Sequence, residues 1–408
     1  MLAGQQQELP CLGEHGELAF VSRGTLWVLD GRTRTLRRVA APGVTPVDPA
    51  FSPDGRWLAF LGTSTNPSAG TASFALWIAS GDGRGARQIR GLPAVGIVGW
   101  SPARDILAVT AAASVRLVWP SGHMRTLSAA GLKSAAWSPG GSAIAVATAT
   151  ASGSTLASYP LTGGHPTVWV KLYVRSGVPG GANYIIDPAG WWPHQGIGFW
   201  ALANGESVNA DQDPFYVIPA PGAHPRLLGN TLSGNTLDQV AVAATGWLAL
   251  VRETPGSGGG RVIWQNRRIK VCGPATATCA DVPSPPSTVT LDPAWTPDGT
   301  WLAFVRAPSR ASPAFPQHAV TAWYNAHQLW VDDPATRSVR KLDASGATVP
   351  AWSANGQSLL YIARDGIWLL PRLTRRPVRI ATPLFPPGNW PTYYGQVDWT
   401  PQFAWWSG

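Results

Sequence analysis

The sequence predicts an all-β fold, a single β-propeller of four-stranded blades, on three observations. The string Asp-Pro-Ala-aromatic-Ser/Thr-Pro-Asp-Gly-x-Trp-Leu-Ala-Phe stands at Asp48 to Phe60 and again at Asp292 to Phe304, about 240 residues on. Self-similarity of this kind marks a repeat protein. Fainter copies fall at spacings of roughly 37 to 57 residues, in the range of propeller repeats. No segment carries a convincing helical period; short hydrophobic runs alternate with Gly, Pro, Asp and Ser instead.

Each unit opens on an aromatic anchor before Ser/Thr-Pro. Phe51, Trp100, Trp137, Trp295, Trp352 and Trp399 are clear anchors. Degraded copies lie near 191 and 241, in Asp187-Pro188-Ala189-Gly190 and in Asp238 to Leu250. The Pro-Asp-Gly step that follows is turn chemistry: Pro presets φ, Asp bonds the local backbone, and Gly takes positive φ. A second strand comes next (Trp57 to Leu61, Trp301 to Val305), then a third (Leu76 to Ile78, Gln328 to Val331) and a shorter fourth (Ala86 to Ile89, Val339 to Leu342). The chain opens with Glu17 to Val21, Thr25 to Leu29 and Thr35 to Val39, the later strands of a unit that lacks its anchor. It ends with Gln396 to Thr400, an anchor strand without most of its successors. The two ends are therefore expected to pair and close the ring. The expected organisation is an N-terminal arm over 1–16 and a propeller over 17–408. It has eight blades, or seven if one degraded copy is a decorated loop.

Composition agrees with this architecture. Hydrophobic residues make up 45% with 22 Trp, ample for a core, and 45 Gly with 38 Pro suit turn-dense β structure. The net charge of +9 is spread over small clusters such as Arg32, Arg34, Arg37 and Arg38. Arginine at a blade's outer edge discourages sheet association, so nucleic acid is not the expected partner. Cys272 and Cys279 flank a turn, where a hairpin-closing disulfide is easy and two free thiols are the alternative. No apolar run reaches the roughly 18 residues of a membrane helix, and the first ten residues lack a signal-peptide pattern. A monomer is expected.

Phe51-Ser52-Pro53-Asp54-Gly55-Arg56-Trp57-Leu58-Ala59-Phe60, with its copy from Trp295 to Phe304, resembles the WD-like propeller repeat of the TolB family. The resemblance spans the whole chain and implies architecture. It implies no single function, because the same repeat serves periplasmic scaffolds, sensor domains and the gating propellers of prolyl-oligopeptidase-like enzymes. A cell-envelope or exported location is compatible with it. TolB's own propeller has six blades.

Catalytic motifs are scarce. There is no Gly-x-Ser-x-Gly elbow, no His-Glu-x-x-His, no zinc-like Cys spacing and no phosphate-cradling loop. The seven His, among them His318 and His327, are expected to be solvated in turns. Asp48, Asp187, Asp238 and Asp292 each precede the innermost strand of a blade, near one mouth of the channel. Four carboxylates there could hold a cation or a basic peptide; the plainer reading is that each fixes a turn. Trp323 and Tyr324 in an insertion, and Trp390, Tyr393 and Tyr394 before the last anchor, are candidate binding anchors on a loop face, with packing the alternative. The expected function is a non-catalytic scaffold that binds a protein or peptide, without cofactor or metal. The alternative is a propeller hydrolase or lyase acting on a saccharide or ester with rim acids such as Asp187 and Asp238.

Overall fold

The computed structural model describes residues 12, 16–64, 73–128, 131–173, 184–192, 196–203, 213–231, 239–254, 263–274, 279–310, 317–363, 366–373, 375–381, 397 and 399–408. Among these, strands pair antiparallel in chain order and form six four-stranded sheets and one of eight strands. One sheet holds Glu17–Ser22, Thr25–Asp30 and Thr35–Arg38, with Phe403–Trp406 added to the edge of Glu17–Ser22. The next holds Val44–Phe51, Trp57–Ser64, Phe74–Ser80 and Arg87–Ala94, followed by Gly96–Trp100, Leu107–Ala111, Ser114–Val118 and Met124–Ser128. Leu132–Trp137, Ala143–Thr150, Gly153–Pro160 and Thr167–Tyr173 form a fourth.

The eight-stranded sheet is two four-stranded runs. Tyr184–Trp192, Gly196–Ala203, Asp213–Ile218 and Arg226–Thr231 meet Val240–Val242, Leu248–Glu253, Arg267–Cys272 and Cys279–Asp281 through one bridge, Thr231 to Arg252. The last two sheets are Thr288–Trp295, Leu302–Pro308, Gln328–Asp333 and Ser338–Ser345, then Ala347–Trp352, Leu359–Ala363, Gly366–Leu370 and Val378–Ala381. This nearly all-β arrangement is consistent with a β-propeller. Among the described residues no helix is long and apolar enough to cross a membrane.

Strand register aligns the repeats. The residue near the start of each second strand faces the anchor: Leu58 with Phe51, Leu107 with Trp100, Ile144 with Trp137, Ile197 with Trp191, Leu248 with Val242, Leu302 with Trp295, and Leu359 with Trp352. Leu18, the corresponding residue of the opening sheet, faces Trp405. The C-terminal strand that pairs with Glu17–Ser22 therefore lies later than Gln396 to Thr400. Thr400–Gln402 is a 3-10 turn, where Pro401 has no N–H to give a ladder. Trp399, which copies the motif, is instead buried in the core.

The anchors are tryptophan for a reason beyond bulk. The indole N–H of Trp100 donates to Ala50 O (3.0 Å), that of Trp137 to Gly99 O (2.8 Å), and that of Trp352 to Ala294 O (3.0 Å). Trp191 reaches Ala136 O (3.4 Å) and Trp295 reaches Ala241 O (3.2 Å). Each acceptor is the residue before the preceding unit's anchor, so one sheet is latched to the last by a bond worth about 1 kcal/mol net. Turn chemistry also repeats. Ser52 Oγ accepts from Trp57 N and donates to Asp54, and Thr296, Trp301 and Asp298 do the same.

Hydrophobic cores lie between successive sheets. Leu58 and Phe60 pack with Val21 and Val28, and Leu360 and Ile362 pack with Leu18 and Phe20, so the last sheet meets the first. One element departs from the all-strand expectation. Gln317–Asn325 is a nine-residue α-helix that buries Val320 and Trp323, one turn apart. Two buried positions are too few to show a period in the sequence.

Candidate functional site

Asp48 and Asp292 lie inside the first strands of their sheets, where the sequence placed them ahead of those strands. Both sit at β-bulges, between Val47 and Ala50 and between Leu291 and Ala294. Both have positive φ, 56° and 50°. The following Pro49 and Pro293 cannot donate to the ladder, which favours a bulge, and Asp tolerates a left-handed backbone. Val349 holds the same place in the last sheet, with φ 49° before Pro350. The bulge thus belongs to the repeat, and the carboxyl is an addition to it.

Asp292 uses that addition to reach the next sheet. Its Oδ2 accepts from Thr348 Oγ1 at 2.6 Å and from Val349 N at 3.1 Å. Burial raises its pKa above the ordinary carboxyl range, against the pull of those two bonds. Asp48 is half-buried on the sheet that begins at Val44. The side chain of Asp187, in Tyr184–Trp192, and the whole of Asp238 lie outside the described residues, as do Trp390, Tyr393 and Tyr394.

The aromatic pair in the insertion is not an exposed anchor. Trp323 is fully buried and donates its indole N–H to Pro308 O at 2.8 Å. Its ring meets Tyr324 at 5.2 Å and His327 at 4.3 Å, edge to face. Tyr324 is half-buried beside it. His327 corrects the expectation of solvated histidines: it is buried, and its Nδ1 donates to Ala347 O at 3.2 Å. Burial lowers its pKa to about 3. Cys272 and Cys279 face one another across paired strands and are joined by a disulfide with S–S 2.08 Å.

Two carboxyls escaped the sequence reading. Glu17 is raised to about 7, first by burial and then by Asp30 and Asp82. Asp332 is almost wholly buried. Aligning the third strands would have exposed Asp332, because the other units place uncharged residues there. Among the described residues no group of three or more His, Cys, Asp or Glu is arranged to hold a metal ion.

No family model matches the chain, and no curated protein matches it by sequence. In structure it is similar to an oligogalacturonate lyase in complex with manganese, at 12% identity and TM-score 0.47, over 94% of this chain and 89% of that one. It is also similar to the oligogalacturonate lyase of Vibrio parahaemolyticus (12%, TM-score 0.49, 86% and 95%). A third is the acylaminoacyl peptidase of Pyrococcus horikoshii (9%, TM-score 0.48), where 83% of this chain covers 52% of that one. These have propeller folds. All are enzymes, and on that finding the expectations of a non-catalytic protein- or peptide-binding scaffold and of a chain without enzymatic activity are withdrawn.

Proposed function

We propose that the chain is a propeller enzyme, a hydrolase or lyase acting on a saccharide or ester, with Asp292 as its general acid. The observation that carries this reading is the pair of donors on Asp292 Oδ2, Thr348 Oγ1 and Val349 N. Both donors sit on Oδ2, which leaves Oδ1 as the oxygen that would carry a proton, and burial shifts the pKa upward. In its protonated form such a carboxyl can protonate a leaving oxygen, a step that contributes about 10²–10⁴-fold. Asp48 holds the same repeat position with the same backbone in another sheet. Asp187 and Asp238 hold corresponding positions in the sequence.

The reading assumes a TolB-like ring of eight blades over 17–408, closed by Phe403–Trp406. Its support is the recurrence of one anchor register in eight four-stranded runs and the core shared by the last and first sheets. In such a ring the first strand of each blade is innermost, so Asp48 and Asp292 stand around the channel.

The test is a panel of p-nitrophenyl esters with neutral and uronate-containing oligosaccharides. New reducing ends report hydrolysis, and absorbance of an unsaturated product reports elimination. Turnover by the wild type, reduced at least ~100-fold in a folded Asp292→Asn variant, is expected. A wild type inert across the panel, or full activity in the variant, would overturn the proposal.

A further inference from the structure

Register also aligns the third strands. Leu29, Ala79, Val118, Tyr159, Ile218, Cys272, Asp332 and Leu370 each face the residue that pairs with the anchor. Asp332 is the one carboxyl among them, and it is only 2% exposed. A charge at a position that the repeat otherwise fills with uncharged side chains breaks the local rule, and such breaks concentrate at functional sites. Its Oδ1 is buried without a hydrogen-bond partner. The carboxyl lines a cavity of about 120 Å³ with Trp247, Val271, Val282 and Arg337.

The other charges around the cavity are engaged. Arg252 Nη2 holds both carboxylate oxygens of Asp281, at 2.8 and 2.9 Å. Arg337 Nη2 donates to Asp281 O at 2.9 Å. Asp333 binds the turn beyond it, through Ala335 N at 3.0 Å and Thr336 Oγ1 at 2.8 Å. Burial lifts Asp332 to about 6, with Arg337 pulling it down and Asp333 pushing it up. Oδ1 has no hydrogen-bond donor, in a cavity whose walls are apolar apart from Arg337 and Asp281.

We propose that this cavity is a subsite for a small organic ammonium ion, held between the Asp332 carboxylate and the Trp247 indole. An ammonium supplies the N–H donors that Oδ1 lacks, and its alkyl part suits Val271 and Val282. An indole ring stabilises a cation within about 6 Å of its centroid. At about 30 Å³ per water the space holds about four waters, enough for an alkylammonium of a few heavy atoms. The subsite is separate from the proposed acid: Asp332 stands on a third strand and Asp292 on a first strand.

Calorimetric titration with methylammonium chloride, against sodium chloride at equal ionic strength, tests the proposal. The wild type is expected to give saturable heat, and Asp332→Asn and Trp247→Leu to bind at least tenfold more weakly. Asp332→Leu, which restores the residue type of Leu29 and Leu370, is expected to fold, to melt at a higher temperature and not to bind. It decides the matter if Asp332→Asn does not fold. No saturable heat from the wild type, or undiminished binding by Asp332→Leu, overturns the subsite. Equal binding of ethylene glycol does so too, because the pocket would then be one for hydroxyls.

Discussion

Glu17 and His327 pull the pH dependence of stability in opposite directions. Glu17 titrates near 7 in the folded chain against an ordinary 4.5, so it favours the folded state fully below about 4.5. That contribution is lost as pH rises through 7. Asp332 acts in the same sense up to about 6. His327, at about 3 against 6.5, stabilises the fold above 6.5 and loses that contribution as pH falls toward 3. Glu17→Gln is therefore expected to raise the melting temperature at pH 8 and leave it unchanged at pH 4. An equal gain at both values would remove Glu17 from the account. Thr348→Val takes one donor from the enclosed Asp292 carboxyl, and urea unfolding at pH 8 is expected to show a loss of about 1–3 kcal/mol. Of this site the sequence showed the repeated Asp but not its partner, because Thr348 lies in the following unit, beyond any local motif.

At the scale of elements, the Pro-Asp-Gly turn was legible residue by residue, because its bonds are local. Gly55 has φ 70°, and a Cβ added there would stand 2.4 Å from the Trp406 ring. Gly43, with φ 75°, has nothing within 4 Å. Gly55→Ala is thus expected to cost clearly more than Gly43→Ala, for which about 1 kcal/mol of backbone strain is the whole effect. Equal losses in paired urea titrations would mean that Trp406 does not abut this turn. The anchors were equally legible, but their indole bonds were not, since each acceptor belongs to the preceding unit. Trp352→Phe keeps the ring and removes the N–H, so a loss of about 1 kcal/mol is expected. The final strand was misplaced because Trp399-Thr400-Pro401 copies the anchor motif, whereas pairing with Leu18 selects Trp405. Motif and register usually agree; where they part, the ladder decides.

For the whole molecule, the repeat predicted how sheets follow one another, and left the chemistry open because a repeat describes what its units share. Two features set this chain apart: the bond that the repeated Asp makes to the next sheet at Asp292, and a departure from the repeat, the buried carboxyl at Asp332 where other units carry uncharged side chains. The most direct measurement is the pH dependence of turnover by the wild type and by Asp292→Asn. A general acid at Asp292 predicts that wild-type activity falls as pH rises through its elevated pKa, and that Asp292→Asn is slow at every pH and lacks this fall. A variant with the wild-type rate and the same alkaline decline would contradict it.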